Sequence, residues 1–92
     1  MHENNIILQT KEQREKRVLE CLDKFLAAKN LSSNISKCLK DTFIKYTEGI
    51  DKLDYIDGYC EALRSLEVFT DEDYKYIINL AYQVGIFLTF TL

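Results

Sequence analysis

Phe69-Thr70-Asp71-Glu72-Asp73-Tyr74 opens the last and most apolar stretch of the chain. Thr70 offers a side-chain oxygen to the free backbone N–H groups at the start of a helix. The three carboxylates behind it complement the positive end of the helix dipole. Phe69 and Tyr74 sit at the spacing of a hydrophobic staple. A helix is therefore expected from Asp71 onwards. Tyr74, Ile77, Ile78, Ala81, Val84 and Leu88 recur along one face of it, while Tyr76, Leu80 and Phe87 lie off that stripe. A helix apolar nearly all round must be covered on more than one side, either as a central helix or at a subunit interface. Residues 74–92 hold 13 apolar residues in 19, too many for one face of a surface helix. A two-fold homodimer is expected, with Ile77, Leu80, Val84, Phe87 and Leu88 at or near its interface. Past Gly85, apolar residues alternate with threonine, a pattern open to helix, short strand or disorder.

The segments upstream also read as helical. Thr10-x-x-Gln13 is a capping-box pattern, and Val18, Leu19, Leu22, Phe25 and Leu26 follow at helical spacing. This predicts a helix over residues 11–29, closed by Asn30 in a left-handed turn. Ser32, Ser33 and Asn34 offer the next cap. Ile35, Leu39, Phe43, Tyr46, Ile50 and Leu53 form one stripe, predicting a helix over 34–52 that carries Gly49 at a cost of about 1 kcal/mol. At Asp54 the register shifts to a stripe of Tyr55, Ile56, Tyr59, Ala62, Leu63 and Leu66, so a break is expected near Leu53–Asp54. Residues 1–9 lack a helical start and are expected as a poorly ordered or extended arm, with Ile6, Ile7 and Leu8 lying against the core. The fold class is all-α, a compact bundle of about four helices in one domain spanning residues 1–92.

Composition agrees with this. The 92 residues suit one small domain, and 47% hydrophobic with 29% charged residues excludes a disordered tail. No proline and only three glycines disfavour a turn-rich β-sandwich. Residues 76–92 carry no charge across 17 positions, the lower limit for a membrane span. Asn79, Gln83, Gly85, Thr89 and Thr91 interrupt that stretch, so a buried helix is the reading and no membrane contact is expected. Glu3 at the start argues against a secretory signal. Cys21, Cys38 and Cys60 lack any C-x-x-C pair, and His2 is the only histidine, so no metal site is expected. All three thiols are expected buried and reduced, which places the chain in the cytoplasm.

Charge is uneven along the chain. Residues 1–47 hold nine Lys/Arg and six Asp/Glu, a net of +3; residues 48–92 hold three and nine, a net of −6. The acidic half repels phosphate, so nucleic acid is not the expected partner. It suits a basic protein surface. Five of the six tyrosines (Tyr55, Tyr59, Tyr74, Tyr76 and Tyr82) fall in this half, and tyrosine is favoured where an apolar body meets a polar edge. Glu48, Asp51, Asp57, Tyr59, Glu61 and Tyr76 are the candidate partner-binding residues.

Catalytic signals are sparse. One imidazole leaves no Ser-His or Cys-His pair, and Gly49, Gly58 and Gly85 stand alone, with no phosphate-cradling loop. No catalytic residue and no cofactor is expected. Glu12-x-x-Glu15 with Glu48-x-x-Asp51 resembles in outline the paired acidic motifs of all-α nucleoside triphosphate pyrophosphatases, which implies a Mg²⁺-dependent hydrolase as an alternative. A small-ligand or nucleotide-binding bundle with a pocket of tyrosines and Arg64 is another. Tyr55-Ile56-Asp57-Gly58-Tyr59-Cys60-Glu61-Ala62-Leu63-Arg64-Ser65-Leu66, followed by Phe69-Thr70-Asp71-Glu72-Asp73-Tyr74, resembles short helical accessory proteins of bacteriophages and mobile elements. That resemblance implies a non-catalytic protein that binds, modulates or inhibits a host protein, such as a nucleic-acid-handling or defence protein.

Overall fold

The computed structural model describes residues 10–90, with side chains as far as residue 84. The arm of residues 1–9, including His2 and Ile6–Leu8, therefore lies outside the described residues, as do the side chains of Phe87 and Leu88.

Helix α1 spans Lys11–Lys29. Its capping box is complete: Gln13 N–H donates to Thr10 Oγ1 and Thr10 N–H to Gln13 Oε1, each at 3.0 Å. Asn30 ends it at φ 55°. Helix α2 spans Ser33–Thr47, with the Ser32 hydroxyl accepting from Ile35 N–H at 3.3 Å. Here the expectation of one helix through residue 52 is corrected. Gly49 is the left-handed residue of a Schellman turn, at φ 80°. Ile50 N–H returns to the Lys45 carbonyl at 2.8 Å and Gly49 N–H to Tyr46 at 3.1 Å. The glycine ends the helix rather than weakening its middle, and Ile50 is left on the surface, 66% exposed.

Helix α3 spans Leu53–Ser65. Its buried positions are Ile56, Cys60 and Leu63. Tyr55, Ala62 and Leu66, expected on the buried stripe, face solvent instead. A second Schellman turn closes α3: Val68 N–H reaches the Leu63 carbonyl at 2.9 Å and Glu67 N–H the Arg64 carbonyl at 3.0 Å. Helix α4 spans Asp71–Phe90, which resolves the C-terminal segment as helix through Phe90. Thr70 and Asp73 form its capping box, with reciprocal bonds of 3.1 and 3.0 Å.

The connections, residues 30–32, 48–52 and 66–70, are short, so each helix turns back beside the one before it. Helix α1 packs on α2, α2 on α3, α3 on α4, and α4 closes the ring on α1. The core between them comprises Val18, Leu22 and Leu26 of α1, Leu39 and Phe43 of α2, and Ile56, Cys60 and Leu63 of α3, with Phe69 and four α4 residues. Those four are Ile77, Leu80, Ala81 and Val84. For Ile77, Leu80 and Val84 the subunit-interface expectation is corrected here, while the side chains of Phe87 and Leu88 lie outside the described residues. Ile77, Leu80 and Val84 are 0%, 3% and 1% exposed within the single chain. The two-sided cover that α4 needs comes from α1 and α3, leaving these side chains no surface for a second copy.

Candidate functional site

Asp57, Glu61 and Arg64 recur at steps of four and three, which sets them on one flank of α3. That flank meets the first turns of α4. Arg64 Nη2 binds Glu61 Oε1 at 2.5 Å and Nη1 binds Asp71 Oδ1 at 3.1 Å. The same guanidinium lies over the Tyr74 ring, 5.1 Å from its centroid. The Tyr74 hydroxyl donates to Asp57 Oδ1. Asp57, Glu61, Arg64, Asp71 and Tyr74 thus form one bonded cluster across the α3–α4 seam. The bond to Asp57 stabilises the protonated phenol, and with burial and nearby carboxylates it pushes Tyr74 up to about 12. The bonds to Glu61 and Asp71 hold Arg64 still more firmly protonated.

The other candidate residues are not on this seam. Tyr59 is two residues from both Asp57 and Glu61, and on a helix that spacing turns it to the opposite flank. Its hydroxyl lies against Cys38 of α2, and burial with that neighbour raises its pKa. Tyr76 stacks on Phe25 of α1 at 5.1 Å, ring tilt 31°. Burial and the nearby Cys21 raise it. Glu48 is exposed and Asp51 half-buried in the α2–α3 connection. The set therefore divides among three flanks and one end of the bundle, with only Asp57 and Glu61 brought together. Sequence reasoning passed over Arg64, Asp71 and Tyr74 as members of this cluster.

The thiols also differ from expectation. Cys60 is buried, and desolvation pushes it up to about 12. Cys21 is half-buried and Cys38 exposed, because each sits on a helix flank rather than on the apolar stripe. Of the carboxylates in the pyrophosphatase-like outline, Glu15 pairs with Lys11 at 2.5 Å. Glu12 and Glu48 are exposed. Among the described residues no group of three or more His, Cys, Asp or Glu side chains is placed to share a metal. None of their helices is long and apolar enough to cross a membrane.

An open groove of about 420 Å³ runs along the α1–α2 seam, on the side of the ring away from α3–α4. It contains neither a tyrosine nor Arg64, so it is not the pocket expected of the small-ligand alternative. Compared with known proteins, the chain matches no family model, no curated protein and no solved structure.

Proposed function

We propose that this protein is a non-catalytic binding domain that takes a basic surface of a partner protein on its α3–α4 face. One observation carries the reading: α3 and α4 are neighbours in the ring, and their seam gathers Asp57, Glu61 and Asp71 around a single arginine. The arginine on that side is already engaged by Glu61 and Asp71. The face therefore offers carboxylates, with Tyr74 among them, and complements a lysine- or arginine-rich patch. The partner is a host protein, and the chain a phage or mobile-element product, if the resemblance over Tyr55 to Ile78 reflects origin. Blocking such a patch would modulate or inhibit a nucleic-acid-handling or defence protein without any chemistry.

The bonded cluster changes how this is tested. Reversing Asp57 or Glu61 would remove a bond to Tyr74 or Arg64 as well as a charge. Asp54, exposed in the first turn of α3, and Asp51 form no ion pair among the described residues. Capture from host lysate, read by mass spectrometry, should yield a basic protein that Asp54→Lys, on α3 itself, captures about tenfold less well, or about 1.4 kcal/mol. Undiminished capture of the same protein by that variant would refute the reading.

A further inference from the structure

The end of the bundle that carries the α1–α2 and α3–α4 connections holds two features the binding face does not use. The first is the groove on the α1–α2 seam. Leu26, Ala27 and Leu31 give it an apolar lining, and Lys37 and Lys40 stand over it. Lys40 is bound by Asp23 at 2.9 Å. Lys37 is exposed and has no ion-pair partner among the described residues.

The second is the tip of the α3–α4 connection. Leu66 is the most exposed large apolar side chain among the described residues, at 72%. The Schellman turn fixes it there. The next residue, Glu67, sits at φ 64°, a left-handed conformation where a glycine would cost less. A rigid turn that holds a leucine in water, and a glutamate where glycine fits better, gives up stability locally, and such strain marks places where a side chain is needed.

We infer that the tip of one copy seats in the groove of a second copy of this chain. Leu66 covers the apolar lining of Leu26, Ala27 and Leu31, and Glu67 pairs with the ammonium of Lys37. Tip and groove lie at the same end of the bundle, so two copies can exchange them about a two-fold axis, each giving a tip and receiving one. Complementarity is both apolar and ionic, and the groove has room for a leucine and a carboxylate together. The homodimer expected from the apolar C-terminal helix is thereby assigned to a different surface. This inference does not rest on the proposed binding face, since it uses neither Asp51, Asp54 nor the Asp57–Tyr74 cluster.

Sedimentation equilibrium over a concentration series tests it. A contact this small should give a weak dimer, with Kd of the order of 100 µM. Lys37→Glu should weaken it about tenfold, and Lys37→Glu/Glu67→Lys should restore it by reversing the pair. Leu66→Ser should weaken it by tenfold or more. Both sites are on the surface, so circular dichroism should be unchanged. Glu67→Gly separates structure from contact: it should raise the melting temperature and weaken the dimer at once. A protein that remains monomeric at several times that concentration, or a dimer that Lys37→Glu and Leu66→Ser leave at full strength, would overturn the inference.

Discussion

Glu67 and the three cysteines show how much a single backbone angle or a single flank decides. In the left-handed region the Cβ of Glu67 crowds the neighbouring carbonyl, a strain of roughly 1–2 kcal/mol that glycine lacks. Glycine returns part of that as chain entropy in the unfolded state. Glu67→Gly should therefore stabilise the fold by about 0.5–1 kcal/mol, seen as a higher denaturant midpoint with unchanged slope. The cysteines should label in the order of their exposure. Cys38 reacts at once and Cys21 more slowly, while Cys60, buried and pushed up to about 12, reacts only through unfolding. Equal rates at Cys38 and Cys60 would contradict this placement. Charge at Tyr74 follows the same logic. Its folded value is raised, so its contribution is present in full below the ordinary phenol range near pH 10 and is lost as pH rises through about 12. Tyr74→Phe should remove that alkaline phase from the unfolding profile.

Among the elements, the ends of α1 and α4 are tied together. Lys29, in the last turn of α1, binds Asp73 at 2.7 Å. Asp73 also accepts from Thr70 N–H. Burial works to raise its pKa, but the ammonium and the bonds to Thr70 outweigh that and hold it below the usual carboxylate range. A depressed carboxylate adds stability that is present above its unfolded value, near 3.9, and is lost as pH falls through the folded value. Asp73→Asn should cost about 1–2 kcal/mol at neutral pH, the worth of a good cap with a partner, and should flatten the loss of stability in acid. Urea melts across that range would measure both. The caps at Thr10, Ser32 and Thr70 were legible in the sequence because capping is local, spanning three residues. The end of α2 was not. The stripe of Ile35, Leu39, Phe43, Tyr46, Ile50 and Leu53 keeps helical spacing straight through a turn, and a lone glycine such as Gly49 is tolerated inside a helix at about 1 kcal/mol as well as favoured at a left-handed stop. Only its φ distinguishes them.

At the scale of the molecule, the order of the helices in the ring turns an uneven sequence into an uneven surface. The acidic half was legible as a count, but the face was not. Which acids converge depends on α4 lying beside α3, so Asp71 and Tyr74 meet residues 7 to 17 positions away. Tyr59 was separable from Asp57 and Glu61 by spacing alone, since residues two apart do not share a helix face. The burial of Ile77, Leu80 and Val84 reflects the same ring closure, which gives α4 neighbours on both flanks. If the α3–α4 side is what the protein uses, a basic ligand should find it without knowledge of the natural partner. The most direct measurement is nuclear magnetic resonance titration of the labelled protein with a lysine- and arginine-rich peptide at two salt concentrations. The account predicts shifts concentrated at Asp54, Asp57, Glu61, Asp71 and Tyr74 that fade as salt rises, because exposed charges are screened beyond about 8–10 Å. Shifts spread evenly over the bundle, or centred on the α1–α2 seam, would contradict it.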